Sequence, residues 1–166
     1  MSIEENLALA AGQGGWMSSV SRKEKEEFRD ALAQLDMGLE DRMRQPVGLL
    51  SGGQRQALTL MMATIRPPDL LLLDEHTAAL DPGAAEKVLS ITERIVRENA
   101  LTCMMITHNM QSALDLGNRT IMMDAGGILF DTRDEERAKL TVEDLLAEFR
   151  RASGKAMATD RILLAE

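Results

Sequence analysis

The chain is 166 residues long, 45% hydrophobic and 28% charged, a balance that suits a soluble folded domain with a real core and argues against disorder. Its formal net charge of -8 makes it ill suited to wrap nucleic acid or cling to anionic lipid, although a local phosphate site stays compatible with that charge. One cysteine, Cys103, excludes an internal disulfide and argues against cysteine-held zinc, and no stretch approaches the roughly 18 apolar residues of a membrane-spanning helix.

MSIEENLALA at the front lacks the basic region and long apolar core of a signal peptide, so the chain reads as cytosolic. Ile3 to Ala11 is helix-prone, and AGQGGWMSS after it, holding Gln13 and Trp16, reads as loop from its Gly and Ser content. Ser21 with Glu24 makes a capping box ahead of Phe28, Ala31, Leu32 and Leu35 at helical spacing, and the charges of that helix read as a solvated face. MGLEDRMRQPVGLL then leads through Pro46 into LSGGQRQ, Leu50 to Gln56. Glycine is the poorest helix former after proline, so Gly52 and Gly53 serve backbone geometry there: a helix start with bare N–H groups. Ala57, Leu58, Met61, Met62 and Ile65 continue that helix as one apolar stripe closed by RPPD, its methionines read as core filler.

DLLLLDEH follows, an apolar run too short for a free helix and ended by two acids, as expected of a strand buried on both faces of a parallel sheet. Asp81 is a natural N-cap and Pro82 fits the first helical position, with Ala85, Val88, Leu89, Thr92, Ile95 and Val96 along one side. LTCMMITH repeats the buried-strand pattern, and NMQSALDLG is a short helix stopped by Gly117. Strand, helix, strand, helix predicts an α/β layer with right-handed crossovers. RTIMMDAGGILFDT reads as a hairpin about Gly126 and Gly127, and Thr141 with Asp144 caps a last amphipathic helix through Phe149; the tail after Ser153 is weakly specified.

Open α/β sheets bind ligands outside the carboxyl ends of their strands, and two such ends are visible. Asp74 and Glu75 close one strand; adjacent carboxylates there are costly unless a metal, a hydrogen-bond network or solvent compensates them. Magnesium phosphate chemistry offers that compensation, the first acid serving Mg²⁺ and the second the attacking water. His108 closes the neighbouring strand as a partner for a phosphate oxygen. The alternative for these three residues is a pair of helix-capping acids and a satisfied histidine.

LSGGQ at Leu50 to Gln54, LLLLDE at Leu70 to Glu75, ALD at Ala79 to Asp81 and THN around His108 stand in one order, and together they closely resemble the ATPase subunits of ABC transporters. The resemblance runs from about Ser2 to about Phe149. It implies a partial P-loop NTPase fold of the α/β class: a helical signature subdomain over residues 1–67, an incomplete, mainly parallel sheet core over 68–150, and a tail over 151–166. It also implies ATP and Mg²⁺ as cofactors. Ser51, Gly52, Gly53 and Gln54 would form the signature loop, its hydroxyl and helix-start N–H groups gripping the γ-phosphate of nucleotide held mainly by another subunit. Asp74 would serve the metal, Glu75 the attacking water and His108 the γ-phosphate, while Asp81 would join two sites across a head-to-tail dimer. The implied partners are membrane subunits of a transporter and a second ATPase subunit or a second copy, with no nucleic acid and no direct membrane insertion. The implied location is cytoplasmic, peripheral to the inner membrane through the transporter subunits.

Two departures from the family pattern stand out. No G-x-x-x-x-G-K-[ST] stretch is present: the one Gly-Lys step, Gly154-Lys155, has Phe149 where the first Gly belongs and Ala156 where the hydroxyl belongs. The family's phosphate loop, adenine-stacking aromatic and Q-loop precede the SIEENL match, and Gln13 lies on the wrong side of it to be the Q-loop glutamine. His76 stands where the family most often has proline; it reads as a marker of a branch that leans toward bacterial importers, with a contact to phosphate left open as a second role. The chain is therefore expected to be inactive alone as an ATPase and to need an oligomer or a partner. The alternatives are a binding module that lends its LSGGQ loop in trans to a full-length ATPase, and a non-catalytic, self-associating fragment.

Overall fold

The computed structural model describes residues 1–12 and 20–153. The expectations for Gln13, Trp16, Gly154 and Lys155 lie outside the described residues. The chain divides into two compact units, Met1–Met105 and Ile106–Glu166.

The first unit opens with two short-range caps. Ser2 and Glu5 form a capping box on α1 (Ile3–Ala10), as Ser21 and Glu24 do on α2 (Arg22–Ala33). Only the second box was foreseen, although Ser2 and Glu5 carry the same S-x-x-E spacing. The segment between α2 and α3 (Gly52–Thr64) is more than a connection. It buries Leu35, Leu39, Met43 and Leu50 beside Ile3, Leu7, Phe28, Leu32 and Leu58. Its backbone also ties to the start of α1, with Glu4 N donating to Met43 O at 2.9 Å and Ile3 N to Gln45 O at 3.1 Å.

Strand β1 (Leu71–Asp74), helix α4 (Pro82–Glu98) and strand β2 (Cys103–Ile106) follow. The helical crossover makes β1 and β2 a parallel pair, the pattern expected of β-α-β in an α/β layer. Helix α4 turns Val88, Ile91, Thr92 and Ile95 inward. It is fastened to the end of α2 by Lys87 Nζ to Asp36 Oδ2 at 2.6 Å, and by the Arg94 guanidinium donating to Gln34 O.

Burial along β1 corrects the sequence reading. Leu71 and Leu73 lie in the core, but Leu70 and Leu72 are 50% and 65% exposed, and Met104 on β2 is 47% exposed. The apolar run was read as buried on both faces. Here the inner face belongs to the same buried cluster as Ile91 and Ile95 of α4, and the described residues leave the other face open. A continuous apolar run records that a strand is composed for two covers, not that the described residues supply both.

The second unit is built on an antiparallel hairpin, β3 (Arg119–Asp124) with β4 (Gly127–Arg133), irregular between Met122 and Met123. Its turn is centred one residue earlier than expected. Ala125 and Gly126 occupy it with φ of 47° and 81°, the pair of positive angles of a type I′ turn. Helices α5 (Met110–Asp115) and α7 (Val142–Ser153) supply Met110, Leu145 and Leu146, against which Met122 and Phe130 pack. The one-turn helix α6 (Asp134–Arg137) was not foreseen. Its buried Arg137 donates to Thr120 Oγ1 at 2.8 Å, to Ala113 O at 3.2 Å and to Leu116 O, closing the carbonyl end of α5 with a cation.

Ala125 holds a left-handed conformation that asparagine tolerates better. Ala125→Asn is expected to stabilise the second unit by about 0.5–1 kcal/mol, read as a higher urea midpoint with unchanged slope.

Candidate functional site

Ser51 is the N-cap of α3, in extended conformation. Its Oγ accepts from Gln54 N at 3.3 Å, and Gln54 Oε1 accepts from Ser51 N at 3.2 Å. The same four residues that the family resemblance marks for phosphate thus form a complete capping box. That leaves the N–H groups of Gly52 and Gly53 without intrahelical acceptors, pointing along the helix axis. Gln54 Nε2 also donates to Met37 O at 3.4 Å, fixing the loop to the segment behind it.

The two glycines have different neighbours. A Cβ on Gly52 would lie 3.1 Å from Leu80 Cδ2, and one on Gly53 would lie 3.1 Å from Ala84 Cβ. Helix α3 therefore begins directly against the start of α4, whose N-cap is Asp81, with Oδ1 accepting from Ala84 N at 3.0 Å. Two capped helix starts stand together, and each brings a positive dipole end. The sequence reading named Ser51 to Gln54 and Asp81 separately; the backbone contact through Leu80 and Ala84 was not legible, since nothing local distinguishes them from other apolar residues.

Asp74 ends β1 and is exposed, as is Glu75 after it. Glu75 sits at φ 43°, a left-handed conformation rare for a side chain of its kind. Neither acid caps a helix; that role belongs to Asp81, so the capping alternative is corrected for them. His76 is half-buried, and its Nε2 lies 3.1 Å from Thr92 Oγ1 on α4. Burial pushes its imidazole below the usual histidine value of 6.5. Thr92 was read only as part of an apolar stripe; a lone hydroxyl in such a stripe was the available signal.

His108 belongs to the second unit and is exposed, in the loop between β2 and α5. The residues on each side shape that loop: Asn109 N donates to Thr107 Oγ1 at 3.0 Å, and Asn109 Oδ1 caps α5 by accepting from Ser112 N at 2.9 Å.

Chemically, the first unit offers one exposed carboxylate at a strand end, a second beside it, and two glycine N–H groups at a helix start. No cluster of three or more His, Cys, Asp or Glu fit to hold a metal occurs among the described residues. The residues fit a magnesium ion that arrives with its phosphates and keeps most of its waters, because such ions need only one or two carboxylates. They do not fit a metal held by protein alone.

The ABC transporter family profile matches residues 1–78. A tyrosine transport ATP-binding protein of Clostridioides difficile (strain R20291) is 40% identical over 151 residues, covering 90% of this chain and 60% of the relative. The thiamine import ATP-binding protein ThiQ of Salmonella paratyphi A is 35% identical over 136 residues, 82% of this chain and 56% of the relative. Among solved structures, the dimeric MJ0796, a bacterial ABC transporter cassette, superposes with a TM-score of 0.64 at 23% identity, covering 80% of this chain and 56% of that one. The chain thus spans about three fifths of the length of these relatives. No helix among the described residues is long and apolar enough to cross a membrane.

Gly53→Ala places a methyl group against Ala84, which has no flexible end to move. It is expected to cost about 1–2 kcal/mol in urea unfolding. Gly52→Ala meets only the tip of Leu80 and should be neutral or slightly stabilising, by up to about 1 kcal/mol. The unfolded chain takes a proton at His76 more readily than the folded one. Stability is therefore fully present above the ordinary value of 6.5 and falls as the pH drops through the lowered one. His76→Gln should flatten that slope in a series of urea titrations.

Proposed function

The chain belongs to the ABC transporter family of ATP-binding domains, and from that membership we propose that it is part of the ATP-binding, ATP-hydrolysing component of a transporter. The observation that carries the proposal is the joint placement of Ser51–Gly53 and Asp81 on two helix starts in contact. One surface then offers N–H groups to phosphate and a carboxylate to whatever lies across it.

In this reading Ser51, Gly52 and Gly53 bind the terminal phosphate of nucleotide seated mainly on another subunit, and Gln54 holds the serine in place. Asp74 orients the metal's water shell. Glu75 accepts a proton from the attacking water, and His108 donates to a γ-phosphate oxygen. Asp81 contacts the facing subunit. Magnesium, when bound, neutralises charge on the β- and γ-oxygens. These 166 residues contain no G-x-x-x-x-G-K-[ST], so the phosphate cradle and its lysine come from polypeptide outside them. The partner set follows from the same reading: transporter membrane subunits, which bring the chain to the inner face of the membrane, and a second ATPase subunit or a second copy. A dimeric relative supports the latter. The relatives' names carry tyrosine and thiamine as cargo, and no cargo is assigned to this chain.

The chain by itself is expected to show no saturable Mg-ATP retention. Joined to the unmatched part of the tyrosine transport relative, it should bind and turn over Mg-ATP. In that joined protein Glu75→Gln should keep binding while lowering turnover about 100-fold or more. Saturable binding by the chain alone would sink the requirement for an outside cradle. An unchanged rate in Glu75→Gln would remove the role given to that residue. Stimulation of a full-length ATPase by the unjoined chain would instead favour donation of Ser51–Gln54 in trans.

A further inference from the structure

We infer that His76 is a positioning residue: by donating from Nε2 to Thr92 on α4, it holds the turn that carries Glu75 to the helix that carries Asp81. The inference goes beyond the proposed function and rests on it only for what Glu75 does once held.

A residue with a Cβ keeps a left-handed backbone only where its surroundings over-determine it, and Glu75 has φ 43°. Upstream, the chain is anchored by Leu71 and Leu73 in the core. Downstream, two tight turns close through Ala78 N to Glu75 O at 3.0 Å and Leu80 N to Thr77 O at 3.1 Å. Both turns are local and would move as one piece. The His76 side chain supplies a hydrogen-bonded tie from this piece to α4.

Hydrogen counting fixes the direction of that tie. A threonine hydroxyl has one hydrogen. At Thr92 it is donated to Val88 O at 2.8 Å, so the Thr92 oxygen accepts from His76 Nε2–H at 3.1 Å. The neutral ring is then the Nε2–H tautomer, with Nδ1 unprotonated. Thr92 is 5% exposed and bonded back into its own helix, so its oxygen is a fixed post rather than a mobile surface group. Helix α4 is in turn set by Asp81 at its N-cap and by the contacts of Leu80 and Ala84 with Gly52 and Gly53. The tie therefore places the Glu75 turn in the same rigid frame as the Ser51 helix start.

The test uses the whole chain without nucleotide, so its result stands apart from the nucleotide experiments above. Long-range proton–nitrogen spectra above the histidine titration range read the ring tautomer, and amide exchange at Ala78 and Leu80 reads the turn. Thr92→Val removes the acceptor and keeps the side chain's bulk; Thr92→Ser keeps the acceptor. The wild-type ring is expected as Nε2–H alone. Thr92→Val should give mixed tautomers and speed exchange at Ala78 and Leu80 about fivefold, the effect of losing one ordinary hydrogen bond. Thr92→Ser should restore both, with the amides of α2 unchanged in all three proteins. An Nδ1–H ring in the wild-type chain would overturn the inference even if Thr92→Val fails to fold. So would exchange at Ala78 and Leu80 that ignores Thr92→Val, or a serine variant that behaves like the valine one.

Discussion

The approach of α3 to α4 at Gly53 and Ala84 governs the first unit. With no side chain on Gly53, the two helix starts meet at backbone range, and a Cβ there would stand 3.1 Å from Ala84 Cβ. Everything chemical is referred to that contact. Ser51 and Asp81 cap the two helices, and His76 fastens the end of β1 to the second of them through Thr92. Lys87 and Arg94 extend the same frame from α4 back to the end of α2. A substitution at the contact would thus move the capping residues relative to each other before it touched either one.

The same arrangement lets the polar residues of the candidate site satisfy one another within the helix start. The Ser51–Gln54 box satisfies two donors at the start of α3, while the glycine N–H groups next to it have no intrahelical acceptor. A capped helix start and a phosphate-binding helix start are one geometry. Reading the loop as a structural cap and reading it as a ligand loop are therefore not rivals; the box orders the backbone that would receive the anion.

The half-covered β1–β2 pair expresses a related constraint. Leu70, Leu72 and Met104 are apolar because the strands are composed for a two-faced layer, yet only the face with Leu71 and Leu73 is covered by described residues. Composition alone made the run look interior throughout. Burial depends on what packs above a strand, which the strand's own sequence does not contain.

Local signals in the sequence determined a good deal. Ser21 with Glu24, Asp81 before Pro82 and Ser51 before its glycines specified helix starts because capping is decided within four residues. The motif order from LSGGQ to THN determined the family, and with it the residues that form the candidate site. Elements whose meaning is non-local were decided by the tertiary structure. Leu39 and Met43, in what looked like a connection, became core because α1 and α2 fold over them. Arg137 became buried because the carbonyl end of α5 faces it. His76 acquired a partner 16 residues away, since only the packing of α4 beside β1 brings a threonine hydroxyl within 3.1 Å of its ring. Caps and motifs are written in contiguous residues, whereas contacts between helices and strands depend on distances that no short stretch encodes.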